Sequence, residues 1–239
     1  MNINLKLFLA GIYIFCLVTV LYVVFSFLDF KDLADYSFIK ENSKQLIELK
    51  NNNLPFFILL FFSFSVIWIL LLGFGSPIAL VAGFIFGSWI GTVISICSFS
   101  IGSSLLYKLS QYYFRDLIIK YLSSKIEKYK FFFKKNEFFY YLLFRLTGGA
   151  GIPFAIQNIL PVIFDMKLKN YFFATFIGLM PTIFIFASLG SGLQNIISDN
   201  EKISYYSLIL KPEIYVPLAG FFVILILSFV GRKYFFKNK

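Results

Sequence analysis

Histidine is absent from the 239 residues. That one absence removes imidazole metal sites, serine hydrolases with a histidine base, rhomboid-like Ser/His dyads, histidine-dependent lipid phosphatases and HExxH membrane proteases together. Acids are scarce as well: Asp165 is the single carboxylate between Glu137 and Asp199, so aspartyl chemistry, which needs two carboxylates at one site, has no second member there. Neither a GxxxxGK[ST] loop nor a GxGxxG turn occurs, which leaves nucleotide-driven transport without its phosphate cradle. The two cysteines, Cys16 and Cys97, sit inside apolar runs, where a thiol packs as a small hydrophobe and reports no redox compartment. The expectation is a protein that is not an enzyme and uses no cofactor and no metal.

Charge is the other shortage. Charged residues make up 14% of the chain and apolar ones 59%, with a mean hydropathy of +0.81, against roughly 25% and 45–50% in a soluble domain. Between Leu54 and Tyr107 lie 54 consecutive residues without Asp, Glu, Lys or Arg, and a single bilayer span needs only about 20. That stretch must enter the membrane more than once. The 22 basic residues give a net charge of +10 and gather at the ends of the apolar runs, which fits anionic lipid headgroups and not a nucleic-acid groove. The run Leu7 to Leu28 is 22 residues long, longer than a signal-peptide core of roughly 7–15, and reads as a retained first helix.

Along the chain, residues 1–53 hold that helix and a polar loop, with room for a short helix on the membrane surface. Leu54 to Leu72 is apolar, Gly73-Phe74-Gly75-Ser76-Pro77 interrupts it, and an apolar run resumes with Gly83, Gly87 and Gly91 at four-residue spacing, one helix stripe suited to close packing. Residues 108–137 carry eight basic and three acidic side chains with aromatic and aliphatic residues between them, the pattern of an amphipathic helix in the headgroup region. A second apolar region, 138–164, is broken by Gly148-Gly149-Ala150-Gly151-Ile152-Pro153 and again by Pro161, and no straight helix survives that sequence. A long apolar helix from Asn170, a further loop, a last apolar run at Ile214 to Val230 and a basic tail complete the chain.

The two broken regions share one plan: an apolar arm, a Gly-rich break ending in Pro, a second arm, then a long apolar helix. Interrupted segments at corresponding positions of two halves point to an inverted repeat with a site at mid-membrane. With each broken region read as a re-entrant hairpin, four helices cross, both termini are cytoplasmic, and 15 basic residues lie inside against six outside. Six full crossings give 14 against seven, so charge bias scarcely separates the two. The hairpins are preferred because six crossings export the basic tail and leave broken helices facing lipid, where unpaired backbone groups cost several kcal/mol each.

Arg145 is the one charge at membrane depth. An intramembrane cation costs about 2.5 kcal/mol or more and faces a cavity, a carbonyl cluster or an anionic ligand. Beside uncapped helix ends a guanidinium can clamp a phosphate; it can equally snorkel to the headgroups or tie down hairpin carbonyls. Gln157 and Asn158 need hydrogen-bond partners at that depth and suit a bridge between the hairpin arms. Arg115-Asp116 suits headgroup contact and local charge pairing, and Trp68 and Trp89 suit anchoring or packing.

Taken in order, Ser76-Pro77, Gly83-Phe84-Ile85-Phe86-Gly87, Gly91, Gly102 and Tyr112 to Arg115-Asp116 resemble the first half of the VTT domain of the DedA superfamily, also called the SNARE-associated Golgi protein family. Arg145-Leu146, Pro153-Phe154, Asn158, Phe172, Gly178 and Pro181 resemble its second half. The likeness covers residues 54–193 and divides them into hairpin 1 (54–87), a helix (88–107), the amphipathic segment (108–137), hairpin 2 (138–164) and a helix (170–193), with 194–239 forming a loop, the last helix and the tail. It implies an all-α polytopic protein with two opposed re-entrant hairpins that moves lipids across a bilayer. Arg145, Pro153 and Asn158 match the family's arginine, hairpin proline and asparagine. The Arg-to-Pro interval carries an extra glycine-rich stretch, and the first hairpin has no acid where some DedA proteins carry functional carboxylates for proton coupling.

The resulting expectation is a flippase or scramblase-like protein of a cell membrane, the bacterial inner membrane, passing a phosphate-bearing lipid between the hairpin tips. The candidate substrate-binding residues are Arg145, Gly148, Gly149, Gly151, Pro153, Asn158, Ser76 and Pro77. Its partners are membrane lipids and anionic headgroups, with no nucleic acid. A carrier or channel for a small solute, and a membrane organiser that transports nothing, stand as alternatives. Oligomeric state and lipid identity leave no trace in the sequence.

Overall fold

A computed structural model describes residues 45–71, 73–116, 118–120, 136–198 and 214–220, together with single positions at 11, 15, 18, 19, 22, 133, 212, 222, 223 and 226. Every regular element among them is helical. In chain order these are α1 (Gln45–Asn52), α2 (Leu54–Leu70), α3 (Gly75–Phe86), α4 (Ser88–Leu109), α5 (Glu137–Leu146), α6 (Phe154–Ile159) and α7 (Leu168–Ser198). The first apolar run (7–28), residues 121–135 and the tail lie outside the described residues for most or all of their length.

The polar segment before Leu54 ends in the short helix α1, bent by 111° from α2. Asn53 makes the corner, its side chain accepting the backbone N–H of Phe56, the N-cap role that Asn fills well. Lys50 donates from Nζ to the carbonyl of Ile85 at 3.1 Å, placing a cation at the C-terminal end of α3 where helix carbonyls converge.

The first break sits slightly earlier than the sequence suggests. It spans Leu71 to Phe74, and Ser76 and Pro77 belong to the first turn of α3, where a missing N–H costs nothing because those donors have no intrahelical partner. The indole Nε1 of Trp68 donates to the carbonyl of Phe74 at 3.1 Å, so this tryptophan closes the break. Gly83, Gly87 and Gly91 do not share one helix. Gly87, at φ +81°, ends α3 and starts the turn into α4. A Cβ on Gly91 would press on the backbone of Ala82, whereas in one helix residues nine apart sit about 13.5 Å from each other. The packing role holds nonetheless. A Cβ on Gly83 would overlap the Ala187 carbonyl and one on Gly190 the Leu80 carbonyl, so α3 and α7 meet backbone to backbone as small-residue helix pairs do in membranes.

α4 and α7 form the centre: α3 and α5 pack on α7, and α2 and α3 on α4. These two helices, with α4 carried on to Phe114 by a π-helical turn, are long and apolar enough to cross a bilayer, and the bent α1–α2 pair would be a third if it forms one span. α3 has 12 residues and α5 has 10, short of the roughly 17–25 a crossing needs. The amphipathic segment expected from residue 108 begins as a direct continuation of α4, with Ser110 and Ile118 buried in the core. Its Arg115 pairs in a fork with Asp165, 3.1 Å from Nε and 2.6 Å from Nη2, across 50 residues of chain. Both side chains are about half exposed, so the pair adds little stability, and it ties the end of α4 to the turn before α7.

Candidate functional site

The second break is built from both sides. Asn136 caps α5 through Phe139 N–H. Glu137 accepts from the Lys167 backbone N–H at 3.1 Å and the Asn170 amide at 2.6 Å, which pins the start of α5 to the start of α7. After Leu146 the chain reverses through Gly148 (φ +62°) and Gly149 (φ +72°), left-handed backbone that side chains other than glycine rarely accept. Both lie in a 3-10 turn over Gly148–Gly151, after which come extended Ile152 and Pro153 and then α6. Such backbone is tolerated at membrane depth only where something satisfies it. Gln157 does this, donating from Nε2 to the carbonyls of Gly148 (3.2 Å) and Ile152 (2.7 Å). Its amide lies where a Cβ of Gly149 would be.

Arg145 is wholly enclosed, at 0% exposure. Nη1 donates to Gln157 Oε1 at 3.1 Å, while Nη2 donates to Asn158 Oδ1 and to the Tyr171 hydroxyl at 3.3 Å. The guanidinium carbon stands 5.1 Å from the Tyr141 ring centroid and 5.3 Å from that of Phe154, within reach of a cation–π attraction. Gly178 on α7 makes room, since a Cβ there would strike the Cβ of Arg145. Tyr141 and Tyr171 brace the same two residues through the main chain, donating to the backbone oxygens of Gln157 (3.0 Å) and Asn158 (3.3 Å), and Tyr107, Tyr171 and Tyr141 stack in series.

Two features make this more than a structural knot. Among the described residues no carboxylate bonds Arg145, and two buried donors, Arg145 Nε and Asn158 Nδ2, have no partner there. A buried cation without a counter-charge, flanked by idle donors, is electrostatically incomplete.

The structure therefore gathers Arg145, Gly148, Gly149 and Asn158, with Gln157 as the bridge between hairpin arms. Arg145 does not snorkel; it is tied inside the hairpin. Gly151 lies in the 3-10 turn, and Pro153 is exposed just before α6. Ser76 and Pro77 are exposed on α3 and do not join the cluster, although their neighbour Gly75 approaches it: a Cβ there would stand 3.6 Å from the Phe154 ring. Tyr141, Phe154, Tyr171 and Gly178 are absent from the sequence-derived set. Tyr141, one helical turn before Arg145, was the one with a readable spacing.

Short apolar helices around two long apolar ones, with a buried arginine at one break, define an all-helical membrane protein. The chain belongs to the VTT-domain family: that domain matches residues 73–192, and the membership agrees with the DedA-like pattern of its motifs. It is similar to a Transmembrane protein 41 homolog of Caenorhabditis elegans, 25% identical over 178 residues, which are 72% of this chain and 70% of that one. It also resembles the protein YqeD of Bacillus subtilis, 27% identical over 163 residues, 66% of this chain and 70% of that one. Transmembrane protein 41B of Xenopus laevis is 29% identical over 121 residues, 49% of this chain but only 42% of that protein. No solved structure matches.

Proposed function

We propose that this protein is not an enzyme but moves a phosphate-bearing lipid across the membrane, with the Arg145 cluster as the phosphate-binding element. The observation that carries this reading is the buried guanidinium with no carboxylate on it among the described residues, next to the donors Arg145 Nε and Asn158 Nδ2, which find no partner there. Phosphate oxygens supply the missing negative charge and acceptors in the planar geometry that a guanidinium prefers. The enclosed arrangement is then a closed state, in which Gln157 and Asn158 hold the arginine until the hairpin arms part. Ser76 and Pro77 in the first turn of α3, and Gly148 and Pro153 at the second break, are exposed within apolar segments and would line the route.

The full architecture in this reading has four crossings and two opposed hairpins related as an inverted repeat, in a bacterial inner membrane with both termini cytoplasmic. Lengths support it, because α3 and α5 are too short to cross. A reporter fused after Lys239 and active only on the external side would overturn the topology. The function is tested with purified protein in liposomes holding a trace of headgroup-labelled lipid. Accelerated exchange of phosphate-bearing lipid between leaflets is expected, with a phosphate-free lipid unmoved. Movement of soluble solutes without lipid movement would favour a carrier instead.

A further inference from the structure

A half-open cavity of about 510 Å³ lies along the C-terminal half of α7 and the start of the last helix, a size within the range of small-ligand sites. On α7 it is walled by Phe184, Ile185, Ser188, Ser191 and Asn195, positions three and four apart that form one helical face. Polarity rises along that face: an aromatic and an aliphatic residue, two hydroxyls, then an amide. Ser88 adds a third hydroxyl from the start of α4, while Val216 and Pro217 supply the opposite apolar wall. Among the described residues no charged side chain lines the cavity. The Arg145 cluster is elsewhere: Gly178, which covers Arg145, precedes Ser188 by ten residues, about 15 Å of helix.

We infer that this cavity holds the glycerol-ester region and the first part of an acyl chain of a membrane glycerolipid. An occupant reaching it from the bilayer is largely apolar, which the Phe184, Ile185, Val216 and Pro217 surfaces match. The hydroxyls of Ser88, Ser188 and Ser191 and the amide of Asn195 donate hydrogen bonds, and ester carbonyls are the acceptors that a lipid offers just below its headgroup. None of the described wall residues is a cation, and the assignment leaves the phosphate outside. Chain, ester and head thus run in the order in which the face grades from Phe184 to Asn195.

The test reads lipid capture and not transport, so this inference and the proposed role of Arg145 can fail separately. Full-length protein in phosphatidylcholine nanodiscs is irradiated with two photoactivatable lipids bearing a diazirine on the first carbons of one chain, one ester-linked and one ether-linked. Cross-linked peptides are then mapped. Ester-probe adducts are expected on residues 184–195 or 212–220, at several times the yield of the ether probe. Ser188→Phe, which sets a ring in the middle of that face, should cut that yield about tenfold while adducts on the exposed faces of α2 persist. The milder pair Ser191→Ala and Asn195→Leu keeps the cavity open and should erase the preference for ester over ether. Adducts scattered over all exposed helices with none concentrated here, or equal yields in wild type and Ser188→Phe, would overturn the assignment.

Discussion

Arg145→Ala is expected to lower the stability of the reconstituted protein by about 3–5 kcal/mol, the scale of losing the centre of a buried polar network, and to abolish lipid movement with it. The substitution leaves Gln157 Oε1 and Asn158 Oδ1 buried without a donor, removes the cation shared by the Tyr141 and Phe154 rings, and opens a void against Gly178. A loss of this size does not separate holding the hairpin from holding a phosphate. Arg145→Lys comes closer. One ammonium can keep a bond to Gln157 or Asn158 but not span both and the Tyr171 hydroxyl, and it meets a phosphate as a point charge. The lysine variant is expected to insert and fold at reduced melting temperature and to lose most lipid movement, and Arg145→Gln to lose nearly all. Lipid exchange at the wild-type rate in folded Arg145→Lys protein would take the arginine out of the mechanism.

The reason so much of this region could be read from sequence is that it consists of exceptions. A lone arginine in an apolar run, a Gly-Gly-Ala-Gly break and two amides behind a proline each violate what a lipid-facing helix tolerates. Each violation locates something that the fold must compensate. The amides were legible as a bridge because burial obliges them to find partners, and their partner is Arg145 itself. What could not be read is contact across the chain: Tyr171 reaches Arg145 from 26 residues away, and nothing in local periodicity marks a tyrosine as facing a cation instead of lipid. The glycine stripe went astray for a related reason. Four-residue spacing is the same whether glycines pack along one helix or flank a turn, and only the +81° backbone of Gly87 distinguishes the two. Trp68 reads from sequence as an anchor because aromatic residues crowd membrane interfaces; its bond to the Phe74 carbonyl depends on where the break falls to within a residue.

Asn158→Asp separates the two roles of the cluster more sharply than any change at Arg145. The substitution is nearly isosteric. Oδ1 already accepts from Arg145 Nη2, and the group exchanged, Nδ2, is a buried donor with no partner. A carboxylate there gives the guanidinium a fixed counter-charge in place of an idle amide, so the folded protein is expected to be at least as stable as wild type. If Arg145 serves only to join the hairpin arms, lipid movement should continue, since the join is stronger. If the cluster receives a phosphate, the new carboxylate occupies its place and repels it, and lipid exchange should fall at least tenfold with melting temperature unchanged or raised. Gln157→Glu provides the contrast. That change also puts a carboxylate beside the arginine, but it removes the Nε2 donor that satisfies the Gly148 and Ile152 carbonyls, so it should lose stability and lipid movement together. Wild-type exchange rates in a stable Asn158→Asp protein would leave Arg145 a hairpin strut and require the phosphate to pass elsewhere.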